Sequence, residues 1–165
     1  ATFVYNELYD QTNTSKSLLK ALRASSDGGV LWMNGDVVFD PQVLTRVVPF
    51  IQDEQSFIVV NTSKVSDEEV KYTLDDQGFI KLLSKTVAHG LGEAVGINYV
   101  SAADKAELIN CLDAVGDQDY FERGIEVAIE SAGAKFKAID ISDLYAIEID
   151  FAEDLERVND LFKGK

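Results

Sequence analysis

Two short acidic motifs contain the residue types best suited to chemistry in this sequence. Asn34-Gly35-Asp36 directly follows one apolar run, and Glu148-Ile149-Asp150 ends another. Because side chains alternate along a strand, Glu148 and Asp150 are expected to share one face. Magnesium typically takes one or two protein carboxylates and completes its coordination with water and phosphate oxygens. The two motifs therefore predict a Mg²⁺ site formed by Asp36, Asp150 and Glu148.

Each motif also has an ordinary structural interpretation. A Gly-Asp pair after a strand is common in turns, and an acidic residue before a helix is a routine cap. The functional signal comes from the two motifs together, since ligands in an open α/β sheet bind beyond the carboxyl ends of the strands. Gly35 favours a ligand site, because glycine allows a tight turn and a close approach of the backbone to a ligand.

The basic residues and the two unique side chains carry less information. Lys71 and Lys85 belong to a predicted hairpin and could each meet a substrate phosphate, although hairpin lysines are often simply solvated. The single histidine, His89, lies in a glycine-rich stretch and indicates an exposed loop rather than a catalytic triad. The single cysteine, Cys111, lies in an apolar helical pattern and is interpreted as a packed residue rather than a nucleophile.

Apolar periodicity predicts the elements that would position these residues. Continuous apolar runs such as Val30–Met33 indicate strands buried on both faces, and Asp75-Asp76-Gln77-Gly78 indicates a hairpin turn. The predicted strands cover residues 2–6, 30–33, 56–60, 70–74, 79–83, 93–100, 136–139 and 145–149. The predicted helices begin at a Thr14 cap, at Asp40-Pro41 with an end or kink at Pro49, at 102, at 120 and near Ala152. This alternation indicates an α/β fold, a three-layer α/β/α sandwich with a mainly parallel mixed sheet.

The composition limits the classes of protein and partner. The chain has 165 residues, which fits a single domain over 1–165, and an ordinary apolar content of 46%. Its net charge of −14 argues against nucleic acid as a partner, because phosphates would be repelled. No apolar run is long enough to span a membrane, and one cysteine rules out an internal disulfide. A cytoplasmic domain without a nucleic-acid or membrane partner is expected.

A series of further motifs extends along nearly the whole chain. They are Asn6 and Tyr9 with Thr12-Asn13 and Ser17-Leu18, Asn34-Gly35-Asp36, Glu68-Glu69-Val70-Lys71, Ile80 with Ser84-Lys85, Gly92–Ile97, Tyr120-Phe121-Glu122, and Glu148-Ile149-Asp150 with Asp154-Leu155. In this order and spacing they resemble the nucleotidyltransferases that activate sugar phosphates or phosphocholine. That family has a nucleotide-diphospho-sugar transferase fold, which the resemblance implies for this chain.

The resemblance also implies a reaction and residue roles. The phosphate of a small phosphorylated acceptor would attack the α-phosphate of a nucleoside triphosphate and release pyrophosphate. Asp36 and Asp150 would hold the catalytic Mg²⁺, with Lys85 near the acceptor phosphate as a third catalytic residue. The substrate-binding residues implied in this way are Asn13 and Ser17 near the nucleotide, with Gly35, Glu93, Lys71 and Tyr120. If the acceptor were phosphocholine, its cation would bind an aromatic face, for which Tyr72, Tyr120 and Phe121 are candidates.

One feature of that family has no counterpart in this sequence. Its members begin with a Gly-rich nucleotide loop after the first strand, whereas Gly28-Gly29 precedes a strand here. The chain is therefore expected to be the C-terminal portion of the domain, inactive until a missing N-terminal segment completes it. Two alternatives stay open. One is a metal-dependent glycosyltransferase that uses a nucleotide sugar, for which Asp36 and Asp40 lack the usual tight acid-x-acid spacing. The other is a non-catalytic fragment.

Overall fold

Strands and helices alternate along the chain. A computed structural model describes residues 1–63 and 69–163. In these residues the strands are β1 Val30–Met33, β2 Val37–Phe39, β3 Phe57–Asn61, β4 Lys71–Leu74, β5 Ile80–Ser84, β6 Glu93–Val100, β7 Lys137–Asp140 and β8 Ala146–Glu148. The helices are α1 Thr14–Ala24, α2 Gln42–Gln52, α3 Ala102–Ala114, α4 Phe121–Ala132 and α5 Ala152–Phe162. None of these helices combines the length and apolar character needed to cross a membrane.

The main sheet is mixed, with the order β5-β4-β6-β3-β7 and with β1 also paired to β6. The α/β class with a mixed sheet is confirmed, but the prediction that the sheet is mainly parallel is wrong for the described strands. Only β3 and β7 pair in parallel, whereas β1, β3 and β4 are all antiparallel to β6. The physical reason is that β6 lies between β1 and β3 and runs opposite to both. The helical connection through α2 therefore joins two parallel strands that are not neighbours.

Two apolar cores cover the two faces of this sheet and create three layers. Helices α1, α3 and α4 pack on the face that carries Ile58 and Val60 of β3. Helix α2 packs through Val43 on the opposite face, which carries Phe57 and Val59. All five of these side chains are fully buried, and the alternation along β3 follows from the two-residue period of a strand. The predicted three-layer arrangement is confirmed.

Several local predictions near the N-terminus are wrong. Residues 2–6 form no strand, and Phe3 is 91% exposed, because no described strand lies beside them to accept their backbone hydrogen bonds. Asn13 rather than Thr14 caps α1, since its side chain accepts a hydrogen bond from the Thr14 N–H. Farther along the chain, the predicted end of the second helix at Pro49 is also wrong, because α2 continues through Pro49 to Gln52, and the alternative of a kink at Pro49 stays a prediction.

Strand β1 is less buried than its apolar sequence predicts. Val30, Leu31 and Trp32 are half-buried and Met33 is exposed. Among the described strands β1 pairs only with β6, so one of its edges has no neighbouring strand. Burial on both faces needs layers on both sides as well as flanking strands, and β1 lies at the margin of this sheet.

Candidate functional site

The pairing of β2 with β8 brings the two acidic motifs together. These strands form an antiparallel ribbon in which Val37 lies opposite Glu148. The Ile149 N–H donates a hydrogen bond of 2.9 Å to the Asp36 carbonyl. The Asn34 side chain also donates to the Glu148 carboxylate over 3.4 Å, across 114 positions of sequence. The turn that carries Asp36 therefore lies directly beside the Glu148–Asp150 segment.

Two adjoining cavities lie at this ribbon. The smaller, of about 190 Å³, is lined by Asp36 and Glu148 among other residues. The larger, of about 470 Å³, is lined by Glu148, Asp150 and Glu93. Glu69 and Glu148 line both cavities. The structure thus places Asp36 and Asp150 in neighbouring cavities, with Glu148 shared between them.

The acidic residues are close enough to influence one another. Partial burial is the main cause that raises the pKa of Glu148, the Asn34 hydrogen bond opposes the rise, and the charges of Glu69, Asp36 and Asp150 add to it. Like charges collected in this way favour a bound cation, which would neutralise them. The described residues contain no group of three or more His, Cys, Asp or Glu side chains placed so that together they could hold a metal ion. A magnesium site here would therefore depend on one or two carboxylates, the number that Mg²⁺ usually takes.

A positive group and two helix N-termini also line the smaller cavity. The Lys85 ammonium lies 5.0 Å from the centre of the Tyr120 ring, which is a cation–π contact. Tyr120 caps α4 without a side-chain hydrogen bond. The Phe121 N–H donates to the Thr14 hydroxyl over 3.1 Å, which joins the first turns of α4 and α1. Helix N-termini and an ammonium both attract anions, so this wall suits a phosphate group.

Two buried glutamates on α4 differ in how the fold satisfies them. Glu126 is 7% exposed and accepts hydrogen bonds from the Leu83 N–H and the Arg123 guanidinium. Glu122 is 9% exposed and lines the smaller cavity, and its Oε2 has no hydrogen-bond partner. Burial raises the pKa of Glu122 to about 7; its own backbone N–H and the Lys85 charge oppose the rise, and the Glu148 charge adds to it.

The sequence pattern assigns no role to Glu122. Tyr120-Phe121-Glu122 belongs to the segments that carry the family resemblance, but the periodicity of a helix does not show which polar residue of a first turn is buried. The signal that could have identified Glu122 is its place in the first turn, next to the predicted Tyr120. Asn34, which contacts Glu148, was likewise visible only as part of a turn motif.

The other predicted site residues lie in different places. Glu93 begins β6 in the larger cavity, opposite Lys71 of β4, which is only 9% exposed. Gly35 lies exposed in the turn before β2. Asn13 caps α1, and the Ser17 hydroxyl accepts a hydrogen bond of 3.0 Å from the Asn6 side chain. Asn13, Ser17, Gly35 and Lys71 line neither of the two cavities, so their substrate-binding roles stay predictions. Glu68, quoted for the resemblance, lies outside the described residues.

The comparison with protein families decides which group this architecture represents. The profile of glycosyl transferase family 2 matches residues 10–103, more than half of the chain. The chain belongs to this family. A comparison of the sequence with curated proteins finds no match. The family-2 segment includes β1 to β6 and the Gly35-Asp36 turn, but neither α4 nor the Glu148–Asp150 motif.

Solved structures share the fold of this family-2 chain over nearly its whole length. The inositol-1-phosphate CTP transferase from T. maritima is 17% identical with a TM-score of 0.77, and the match covers 94% of this chain and 63% of that one. The CTP:phosphocholine cytidylyltransferase from Streptococcus pneumoniae is 13% identical with a TM-score of 0.66, over 96% and 67% of the two chains. A UDP-glucose pyrophosphorylase in complex with UDP-glucose is 11% identical with a TM-score of 0.71, over 93% and 64%.

These likenesses confirm the fold that the motif order implies. The chain has the nucleotide-diphospho-sugar transferase fold, which the nucleotidyltransferases and the family-2 glycosyl transferases share. At such low identity these neighbours establish the fold alone. The chain spans about two thirds of the length of these neighbours, or slightly less.

Proposed function

We propose that this chain carries the acceptor-binding and metal-binding part of a magnesium-dependent nucleotidyltransferase. The enzyme would move a nucleoside monophosphate from a nucleoside triphosphate to a small phosphorylated acceptor and release pyrophosphate. The observation that carries the proposal is the β2–β8 pairing, which collects Asp36, Glu148 and Asp150 beside a wall suited to phosphate. Carboxylates next to a phosphate-binding wall are the usual means of holding Mg²⁺ between phosphates.

In the proposed reaction the protein mainly positions the reactants. An oxygen of the acceptor phosphate attacks the α-phosphorus of the triphosphate in line, and the bond from that phosphorus to the bridging oxygen breaks as pyrophosphate leaves. Lys85 and the first turn of α4 orient the acceptor phosphate. Asp36 and Asp150 would hold the Mg²⁺, with Glu148 beside them, and the ion would neutralise the charge of the phosphates. Without such a cation, these carboxylates would repel a phosphate.

The acceptor is a sugar phosphate or a phosphocholine-like molecule in this proposal. Of the three aromatic residues considered for a choline cation, Tyr72 and Phe121 are buried in the core, only 3% and 4% exposed. Tyr120 is 47% exposed and lines the smaller cavity, although the Lys85 ammonium lies over its ring. A choline cation would therefore have to share or displace that contact, whereas a polyol would bind through hydrogen bonds.

The proposal places the nucleotide-binding loop in a further N-terminal segment of the same domain. Two features of the chain support this partner: β1 has one edge without a neighbour among the described strands, and the aromatic side chains of Phe3, Tyr5 and Tyr9 are 91%, 77% and 73% exposed. Unpaired strand edges and exposed aromatic groups are normally covered by another element. Asn13 and Ser17 would lie near the nucleotide in the completed domain.

The second candidate is a metal-dependent glycosyltransferase that uses a nucleotide sugar. The match to glycosyl transferase family 2 over residues 10–103 specifically favours it. The same carboxylates would then hold a metal against the diphosphate of the donor, and the acceptor would carry a free hydroxyl. The two reactions release different products, which makes them separable in one experiment.

The deciding assay uses the complete protein that contains this chain, with Mg²⁺. One set of reactions combines CTP, UTP, GTP or dTTP with inositol 1-phosphate, glucose 1-phosphate or phosphocholine, and pyrophosphate release is measured. The other set combines nucleotide sugars with hydroxyl acceptors, and release of nucleoside diphosphate is measured. Acceptor-dependent pyrophosphate supports nucleotidyl transfer. Nucleoside diphosphate without pyrophosphate would replace that conclusion with glycosyl transfer, and neither product would indicate a non-catalytic domain.

A further inference from the structure

The smaller cavity contains one buried carboxyl group that the fold leaves incompletely satisfied. Glu122 is as buried as Glu126, and both belong to α4, one turn apart. The fold supplies donors for both carboxylate oxygens of Glu126, yet it supplies none for Oε2 of Glu122. Burial of an unsatisfied polar group is costly, and native structures rarely keep one without a use.

The surroundings of Glu122 belong to the proposed acceptor site. The same cavity is lined by Lys85, Tyr120 and Glu148. The Lys85 charge acts on the Glu122 carboxyl, while the Lys85 ammonium itself lies over the Tyr120 ring. The cavity that Glu122 lines therefore has one wall that suits a phosphate, formed by Lys85 and the first turn of α4, and one acidic wall that includes Glu148. A molecule that binds both sides must carry a phosphate and an electropositive group.

We propose that Glu122 is a further acceptor-binding residue, which holds a hydroxyl or an ammonium group of the acceptor at the end away from its phosphate. This inference rests on the proposed function, because it assumes that a phosphorylated acceptor occupies the smaller cavity. A hydroxyl would donate a hydrogen bond to Oε2, whereas the quaternary ammonium of a phosphocholine-like molecule would pair with the carboxylate through its charge alone. A polyol phosphate and a phosphocholine-like molecule are the two sources of such a group.

The test measures binding rather than turnover, so it does not depend on the reaction. Calorimetry on the complete protein with Mg²⁺ compares inositol 1-phosphate, phosphocholine and inorganic phosphate, which lacks the second group. At least one of the two organic phosphates should bind roughly tenfold more tightly than inorganic phosphate, the effect of one charge-assisted hydrogen bond from a hydroxyl or of one close ion pair with the quaternary ammonium. Glu122→Gln should remove this advantage. Glu126→Gln, an equally buried change on the same helix, should keep it.

The outcomes separate this inference from the proposed function. An advantage for inositol 1-phosphate identifies a hydroxyl, and an advantage for phosphocholine identifies an ammonium group. The inference is overturned if neither organic phosphate binds better than inorganic phosphate, if the advantage survives Glu122→Gln, or if Glu126→Gln removes it equally. If a Glu122-dependent advantage is found but the same protein releases no pyrophosphate, the binding role of Glu122 stands and nucleotidyl transfer is refuted.

Discussion

Replacing Glu122 by glutamine should remove a pH-dependent loss of stability from this chain. Burial raises the pKa of Glu122 in the folded chain from the ordinary 4.5 to about 7. The folded state therefore holds this proton more tightly than the unfolded state. The stabilisation is fully present below pH 4.5 and is lost as the pH rises through about 7. The difference between 4.5 and about 7, at 1.36 kcal/mol per pKa unit, corresponds to about 3 kcal/mol.

Urea unfolding measures this effect directly. Trp32, the single tryptophan, packs edge-on against Phe121 with ring centres 5.9 Å apart, so its fluorescence reports the structure next to Glu122. Between pH 4.5 and about pH 8, the unfolding free energy of Glu122→Gln should rise by about 3 kcal/mol relative to the unchanged chain. Glu126→Gln leaves Glu122 in place, so this variant should still lose stability as the pH rises through about 7. A Glu122→Gln chain with an unchanged pH dependence would refute the reasoning, because burial would then not control this proton.

Three further predictions concern the site and its supports. Asp36→Ala and Asp150→Ala should each lower magnesium-dependent turnover of the complete protein by ~100-fold or more, since each removes charge that would hold the metal. Glu126→Ala should lower the unfolding free energy by roughly 1 to 3 kcal/mol in urea, because it leaves the backbone N–H of a buried strand residue without its acceptor. Gly96→Ala should cost roughly 1 to 2 kcal/mol in thermal unfolding, because Gly96 has a φ of +71°. An added Cβ would also lie 2.7 Å from the Asn34 side-chain nitrogen.

Matched variants make these predictions decisive. The control for turnover is Asp76→Ala, which removes an exposed carboxylate in the β4–β5 turn and should leave turnover unchanged. A normal turnover rate for Asp36→Ala would exclude Asp36 from the metal site. Gly35→Ala adds a Cβ where nothing lies within 4 Å and should leave stability unchanged. Equal melting points for Gly96→Ala and the unchanged chain would show that the backbone at Gly96, with its positive φ, tolerates a side chain. Full stability of Glu126→Ala would mean that water replaces its carboxylate.

The sequence predicts most of the elements because their signals are local. The continuous apolar run before Asn61 specifies a strand, and the turn at Gly78 specifies a hairpin. Each signal comes from residues that are close in the chain, and both elements are present. The predictions that fail depend on neighbours that are distant in sequence. Residues 2–6 have the composition of a strand but no partner among the described strands, and the position of β6 between β1 and β3 decides that these two strands are not adjacent.

By itself, the sequence determined the acidic motifs, their positions at strand ends and the resemblance to a transferase fold, because these follow from residue types and their spacing. Only the tertiary structure decided that Asp36 and Asp150 line neighbouring cavities with Glu148 between them. It also decided that Glu122 is buried without a partner for Oε2 while Glu126 is fully bonded. The physical reason is that burial and hydrogen bonding are set by what the other elements bring into contact, and no local pattern encodes that information.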